Sequence, residues 1–256
     1  MKAWTGNPWL TFFKPNPSAN VRLFCFPYAG AGASVYWPWA SALPPEIEVV
    51  GIQYPGRETR VSVPMFRSLT DMVESLMEAI IPALDRPFLF FGHSMGSLVS
   101  FELTRALAAR GCFRPEHVFF SGAGAPHTTP PPPIHHLRDA EFLTQVARLN
   151  GIPKDVLRDP VLIRYMLPIL RADFTMCESY RYQIGAPLQC GVSAFGGELD
   201  PRVDKQRLCA WADHASMYFS SAFFPGDHFF IRTAQAAVID ALLYEVQSLI
   251  AAAAAA

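Results

Sequence analysis

The sequence predicts an α/β fold in which helices cover a mostly parallel central sheet. Short apolar runs rich in Val, Phe and Ile alternate along the chain with longer segments of helical periodicity, which is typical of such folds. The runs are apolar throughout, as strands are when both faces of a parallel sheet are buried. At 256 residues, of which 51% are hydrophobic and 17% charged, the chain is long enough to bury this sheet within one domain.

The predicted strands follow one another along the chain, with helices between them. Six apolar runs are predicted as strands, at 21–26, 48–53, 88–91, 117–121, 191–195 and 220–224. A further antiparallel strand is expected at the edge of the sheet, at 9–14. Helical periodicity fills the intervals at 34–42, 69–84, 95–110 and 234–250. Gly111 follows the third of these helices, at a position where glycine commonly ends a helix.

The chain between positions 121 and 191 interrupts this alternation, because it contains no predicted strand. Helices are expected there at 139–149, 154–158 and 161–180, after a proline tetrad at 130–133 that acts as a stiff spacer. Insertions beside strand ends are common places for lids. We therefore predict a core from residues 1–124 and 186–250 with a helical lid at 125–185. The six alanines at 251–256 are interpreted as an artefact and carry no weight.

Charge and cysteine usage exclude several classes of protein. Lys and Arg number 21 against 22 Asp and Glu, and no basic run suggests a nucleic-acid partner. No stretch reaches the roughly 18 apolar residues that span a membrane, and the N-terminus does not have the pattern of a secretory signal. Zinc-ligand spacing is absent. Free thiols in the cytoplasm are expected for the five scattered cysteines, Cys25, Cys112, Cys177, Cys190 and Cys209.

The pentapeptide Gly92-His93-Ser94-Met95-Gly96 matches the pattern GxSxG. It stands between a predicted buried strand and a long predicted helix, which is the context of a nucleophile elbow in the α/β-hydrolase fold. The helix dipole and free N–H groups at such a position favour developing negative charge. The alternative is a small residue that merely eases a tight turn. That alternative predicts no catalytic partners downstream.

Partners do follow, in the order Ser, acid, His that this fold uses. Asp200 lies just past the predicted strand 191–195, and His228 lies just past 220–224. Active sites of open α/β sheets form at the carboxyl ends of strands. The sequence therefore predicts that His228 accepts the proton of Ser94 and that Asp200 orients the imidazole. Three neighbouring carboxylates are alternatives that fit solvated loops better: Glu198, Asp204 and Asp227.

An oxyanion hole needs two N–H donors, one of which comes from the residue after the nucleophile, here Met95. The second donor is expected in the loop 27–32, which follows an early strand and is rich in small residues. Ala29 is the predicted residue. The glycines of this loop do not have the spacing of a dinucleotide fingerprint.

The other histidines are assigned no catalytic role. His93 is expected to pack behind the elbow, and no metal site is predicted at 135–136, because no carboxylate or cysteine follows at ligand spacing. The sequence indicates no partner for the three that remain, His117, His127 and His214.

Six blocks of the sequence together resemble the type II (external, editing) thioesterases of nonribosomal peptide and polyketide assembly lines. They occur in the same order as in that family, over a span from about Trp9 to about Ile250. Two blocks, containing QYPGR and LRADF, lie outside the predicted triad and are not required by general hydrolase chemistry. The blocks are FPYAGAGASVYWPW, IQYPGRETR, FFGHSMGSLVSFEL, LPILRADFTMCESY, AFGGELDP and FPGDHFF.

The resemblance implies hydrolysis of misprimed or stalled acyl groups from the 4′-phosphopantetheine arm of acyl or peptidyl carrier proteins. It implies no metal or other cofactor, and it matches the family at Ser94, Asp200, His228, Met95 and Ala29. The family's loop usually has a double glycine before serine, whereas here it reads GAGAS at 30–34. A mobile lid over the acyl pocket is also implied. The residues expected to line the acyl pocket, which could instead pack inside the lid, are Leu167, Leu170, Phe174 and Met176.

Several questions stay open from the sequence. A medium-chain fatty-acid synthase thioesterase shares the motifs, whereas a carboxylesterase or lipase, or a carrier-binding protein without activity, fits less well. Arg57, Arg60 and Arg67 are candidates for contact with the carrier or the arm's phosphate, with an ordinary solvated surface as the alternative. A monomer is expected.

Overall fold

The computed structural model describes residues 6–111, 113–152 and 154–254. Its sheet has seven strands in the order β1-β3-β2-β4-β5-β6-β7, of which β1 pairs antiparallel with β3 and all the others pair in parallel. The predicted α/β class, with its antiparallel edge strand, is confirmed. The strands are β1 Leu10–Phe12, β2 Val21–Phe26, β3 Ile47–Ile52, β4 Phe88–His93, β5 His117–Ser121, β6 Gly191–Gly197 and β7 Tyr218–Phe224.

Helices of very different length connect these strands. Short 3-10 turns occur at Ala33–Tyr36, Glu58–Arg60, Ile81–Ala83 and Ala210–His214. The α-helices are α1 Trp39–Ala42, α2 Leu69–Ile80, α3 Met95–Ala109, α4 Asp139–Ala147, α5 Lys154–Arg158, α6 Pro160–Ser179, α7 Lys205–Cys209, α8 Phe230–Thr233 and α9 Gln235–Ala254.

Proline explains where two predicted helices are shorter than their periodicity. The predicted helix 34–42 is divided into a 3-10 turn and α1, with Pro38 at the start of α1. Helix α2 stops at Ile80, and Pro82 lies in the 3-10 turn that follows it. A proline ring lacks the N–H donor and crowds the preceding turn, so neither helix continues as one regular element.

Three further predictions concern the terminal alanines, the cysteines and membrane-spanning helices. Alanines 251–254 extend α9, consistent with the high helix propensity of alanine, whereas 255–256 and 1–5 lie outside the described residues. Cys112 also lies outside them, and the other four cysteines are free thiols. No helix in the described ranges is both long and apolar enough to cross a membrane.

Both faces of the central strand β4 are buried, so Ser94, the residue that follows this strand, lies near the centre of the molecule. Phe90 packs with Phe24 and Phe26 on the face covered by α2 and α3. Phe91 packs with Trp39 on the opposite face, where α9 completes the layer. Burial of aromatic side chains of this size provides much of the hydrophobic stabilisation of a sheet.

The helices α4, α5 and α6 form the insertion between β5 and β6. Phe142 and Val146 of α4 pack with Leu170 and Phe174 of α6 in a small apolar cluster above the main core. Helix α6 contains Pro168 in its interior. The boundaries of a lid at 125–185 stay a prediction, because the end of α6 also joins the main core through Met176.

Candidate active site

Three of the predicted residues lie together at the carboxyl edge of the parallel sheet. Ser94 follows β4, Asp200 follows β6 and His228 follows β7. Because these strands run in parallel, their ends meet at one edge, where open α/β sheets form their sites.

Ser94 occupies a sharp turn between β4 and α3. Its backbone has φ 54° and ψ −114°, a conformation that non-glycine residues rarely adopt. A side chain at Gly92 would lie 2.3 Å from the carbonyl oxygen of Gly96, and one at Gly96 would lie 2.0 Å from that of Phe26. The two glycines thus permit strand and helix to approach closely, and the Ser94 N–H donates to the Ser121 carbonyl at 2.7 Å. This is the geometry of a nucleophile elbow.

A hydrogen-bonded chain links the serine, the histidine and the acid. Nε2 of His228 lies 2.9 Å from Oγ of Ser94, and Nδ1 of His228 lies 2.7 Å from Oδ2 of Asp200. The side chains of His228 and Asp200 are buried, and the second Asp200 oxygen accepts the Arg202 N–H at 2.8 Å. Such a chain can move a proton from a hydroxyl to an imidazole whose positive charge is balanced by the carboxylate.

The alternative carboxylates have other roles. Asp204 accepts the Arg207 N–H and so caps the start of α7. Asp227 accepts from the Asn150 side chain and from the Phe229 N–H. Glu198 is exposed. Asp200 is therefore the carboxylate that the structure brings to His228.

His93 packs directly behind the site, as its sequence position predicts. Its ring lies 5.3 Å from that of His228, and its Nδ1 lies 2.9 Å from Oγ of Ser121. Burial holds the pKa of His93 well below its usual range, and repulsion from His228 lowers it further. A neutral His93 does not compete with His228 for the proton taken from Ser94.

Two backbone amides belong to the turns beside Ser94. Met95 is the first residue of α3, and the loop 27–32, here named the amide loop, carries Ala29. Within that loop the Gly30 N–H donates to Asp173 and the Ala31 N–H to the Tyr28 carbonyl. In the described part of the chain, the N–H groups of Ala29 and Met95 have no acceptor.

Asp173 was not predicted as a site residue, and Arg57 was predicted only as a candidate contact for the carrier or the arm's phosphate. The two form a buried ion pair beside the amide loop. The pair is bidentate, with N–O distances of 2.6 and 2.8 Å. Arg57 and Asp173 belong to the QYPGR and LRADF blocks, so those blocks were the available signal. The solvated-surface alternative is wrong for Arg57 and Arg60, since both are buried and Arg60 stacks on Trp9. For the same reason neither side chain is exposed to a carrier protein.

An apolar cavity of about 560 Å³ opens from Ser94 and His228. Leu170 and Phe174 line this cavity as predicted. Met166, which the sequence analysis did not single out, also lines it, and the three residues follow one another at intervals of four along one face of α6. The other two predicted lining residues, Leu167 and Met176, do not line the cavity. Leu167 packs against the small apolar cluster between α4 and α6, and Met176 is buried in the main core.

The remaining histidines have partners that the sequence did not indicate. His135 pairs with Glu178 at 2.8 Å, His127 lies 2.8 Å from His214, and the His117 ring lies 2.7 Å from Oγ of Ser193. Across the described ranges, no group of three or more His, Cys, Asp or Glu side chains is arranged to hold a metal ion.

Comparison with known proteins is consistent with this geometry. The thioesterase domain family matches residues 21–245. A relative from Brevibacillus parabrevis, named linear gramicidin dehydrogenase LgrE, is 44% identical over 244 residues, which cover 94% of this chain and 93% of the relative. The dehydrogenase reaction in that name is a property of the relative. The family model that matches this chain describes a thioesterase domain.

Two solved structures of similar proteins superpose over nearly the whole chain. The type II thioesterase BorB from the borrelidin biosynthetic cluster is 32% identical with a TM-score of 0.85, covering 92% of this chain and 96% of that one. YbtT, a type II thioesterase from the yersiniabactin NRPS/PKS biosynthetic pathway, is 26% identical with a TM-score of 0.84, covering 92% and 97%. This chain belongs to the thioesterase family and is a hydrolase that acts on thioesters.

Proposed function

We propose that this chain removes misprimed or stalled acyl groups from the 4′-phosphopantetheine arm of acyl or peptidyl carrier proteins in a nonribosomal peptide or polyketide assembly line. The observation that carries the proposal is the chain Ser94–His228–Asp200 at an apolar cavity of about 560 Å³. Similarity to BorB and YbtT supports the class of substrate.

In the first half of the proposed reaction, Ser94 Oγ attacks the thioester carbonyl carbon while its proton passes to Nε2 of His228. Asp200 stabilises the resulting imidazolium. The carbonyl oxygen becomes an oxyanion, which accepts hydrogen bonds from the N–H groups of Met95 and Ala29. The intermediate then collapses, the C–S bond breaks, and the thiol of the arm leaves with the proton from His228.

In the second half, water replaces the thiol. His228, neutral again, takes a proton from water, and the hydroxide attacks the ester carbon of the acyl-enzyme. A second oxyanion forms at the same two amides and collapses. The acid is released, and Ser94 recovers its proton from His228. These steps use side chains, two backbone amides and water, so we propose no metal and no other cofactor.

The partners and compartment follow from the same proposal. The thiol ester is presented by a carrier protein, so neither nucleic acid nor membrane is a partner. Arg67 is exposed and is still a candidate for contact with the carrier, unlike Arg57 and Arg60. We propose a monomer in the cytoplasm, where the described cysteines stay reduced.

A second candidate function follows from the lining of the cavity. Met166, Leu170 and Phe174 present apolar surface that also suits a plain alkyl chain. A medium-chain fatty-acid synthase thioesterase is therefore the alternative, and it predicts a sharp preference for one chain length. Carboxylesterase or lipase activity and carrier binding without hydrolysis are distinct outcomes of the same test.

The test compares one panel of acyl groups loaded on a carrier protein, on coenzyme A and on a simple alcohol. We expect the carrier-bound thioesters to be hydrolysed with the highest kcat/KM, across acetyl, aminoacyl and medium-chain groups. Ser94→Ala should abolish turnover while circular dichroism and thermal unfolding stay unchanged. Equal rates on all three supports would contradict a carrier-directed role, and retained turnover in Ser94→Ala would contradict the assigned nucleophile.

A further inference from the structure

The Asp173 carboxylate joins the lid helix α6 to the amide loop. Its Oδ2 accepts the Gly30 N–H at 2.7 Å and Nη1 of Arg57 at 2.6 Å, while Oδ1 accepts Nη2 of Arg57 at 2.8 Å. Both side chains are at most 5% exposed. The carboxylate therefore meets its partners inside the protein, with the loop amide as one of them.

Arg57 is itself held by backbone on two sides. Its Nε donates to the Pro55 carbonyl at 3.1 Å, and its Nη1 also lies 3.3 Å from the Ala31 carbonyl. Gln53 donates to the Arg57 carbonyl at 3.0 Å and accepts the Ala33 N–H at 3.1 Å. The end of β3, the amide loop and α6 are thus tied together by side chains.

This network fixes a peptide plane next to the predicted oxyanion donor. Gly30 has φ 83°, and a side chain there would lie 2.6 Å from Cδ2 of Leu170. The loop is pressed against α6 by this contact and by the bond to Asp173. Because the Ala29–Gly30 peptide is held in this way, the torsions of Ala29 and the direction of its N–H are restricted as well.

A buried ion pair is an inefficient way to stabilise a fold, because removing two charges from water offsets most of their attraction. Well-packed apolar residues would stabilise this region about equally. What the pair supplies is orientation, since a bidentate Arg–carboxylate contact fixes both groups in one plane. Here the fixed oxygen also holds the loop amide.

We propose that Asp173 and Arg57 are positioning residues that aim the Ala29 N–H at the oxyanion. The inference rests on the proposed function of the same site. If the pair has this role, its loss should weaken binding of the transition state and leave binding of the ground state nearly unchanged.

The test uses Asp173→Asn and three readouts. Octanoyl-N-acetylcysteamine turnover gives kcat and KM. An octylthio trifluoromethyl ketone, to which Ser94 adds to form a hemiketal oxyanion, reports on the oxyanion hole. A dialkyl thioether of the same length, which has no carbonyl, reports on the cavity.

We expect kcat to fall by about 10–10², less than the roughly 10²–10³ lost when an oxyanion donor is removed outright, because the Ala29 N–H is misaimed rather than absent. KM should stay nearly constant. Affinity for the trifluoromethyl ketone should fall by the same factor as kcat/KM, whereas thioether affinity should not change. Arg57→Lys, which keeps the charge but not the bidentate geometry, should be intermediate.

Two further variants separate positioning from stability. Glu48→Gln neutralises another buried carboxylate paired with arginine, at the opposite end of β3. It should lower the Tm but not kcat. If Asp173→Asn does not fold, the double variant R57M/D173L removes both charges together. We expect it to be folded and to keep the kcat defect.

The proposal is overturned if a folded pair variant has wild-type kcat and ketone affinity, or if the ketone and the thioether weaken equally. Failure of the proposed function gives a different result. Without a carrier-directed function, the wild-type chain would hydrolyse the carrier, coenzyme A and alcohol substrates at equal rates. Without the assigned nucleophile, it would not bind the ketone through Ser94.

Discussion

Two short turns border the space in front of Ser94, and they are held in place in different ways. The elbow at 92–96 is shaped by its own glycines and by contact with the neighbouring strand. The amide loop is held by Asp173, which lies 143 positions from Gly30 in the sequence. One turn is encoded locally and the other by tertiary contacts, so mutations should affect them differently.

The largest effect is expected where the elbow meets its partners. Asp200→Asn should lower kcat by up to about 10⁴, because an amide favours the wrong tautomer of His228. Steady-state kinetics with a carrier-bound acyl group measures this. Glu198→Gln is the matched control and should be close to wild type. A silent Asp200→Asn together with a crippled Glu198→Gln would identify a different acid.

Gly96→Ala should break the elbow itself. The added Cβ would lie 2.0 Å from the Phe26 carbonyl oxygen, a backbone atom that cannot move aside alone. We expect a loss of about 3 kcal/mol in the free energy of unfolding, measured by urea denaturation. Gly111→Ala adds a Cβ with no atom within 4 Å and should cost only about 1 kcal/mol for its left-handed backbone. Equal losses would argue against a packing role for Gly96.

Gly30→Ala should disturb the amide loop while sparing the elbow. The new Cβ meets the flexible tip of Leu170, so the protein should fold, with a shifted loop. We expect kcat to fall about 10-fold, part of the effect of losing an oxyanion donor. Reaction of Ser94 with a small phosphonofluoridate compares the variants. Inactivation that slowed as much as in Gly96→Ala would show that the two turns are not independent.

The smallest expected effect lies at the far end of the sheet. Burial lowers the pKa of His117 to about 4, whereas an unfolded histidine titrates near 6.5. The unfolded chain therefore binds a proton that the folded chain does not, and stability falls as the pH drops below about 6.5. From pH 7.5 to 5.5 this contributes a loss of about 1 kcal/mol. His117→Gln should remove that part of the slope in urea denaturation. An unchanged slope would contradict it.

The elbow at 92–96, which is encoded locally, is also the turn that could be predicted from the sequence. The GxSxG pattern at 92–96 predicts the turn from five consecutive residues. The order of residues in this fold then indicates Asp200 and His228 as the partners of Ser94. All of these side chains lie where strand ends predict. Local pattern and topology were sufficient for them.

The rest depended on contacts that leave little trace in a single sequence. The pairing of Arg57 with Asp173 joins residues 116 positions apart, so spacing alone cannot reveal it. Leu167 and Met176 are apolar and helical, as lining residues should be, but periodicity does not say which face of α6 meets the cavity. His127 and His214 illustrate the same limit, since each is unremarkable in its own segment.

The separation between Arg57 and Asp173 also has a consequence for the order in which the protein matures. Contacts between distant segments are made at the cost of closing long loops and depend on the intervening chain. The elbow is complete once β2, β4, α3 and β5 have assembled, whereas the amide loop acquires its support only when α6 has docked. A refolding or newly synthesised chain would thus carry its nucleophile before it can stabilise an oxyanion, and hydrolytic activity would be among the last properties to appear.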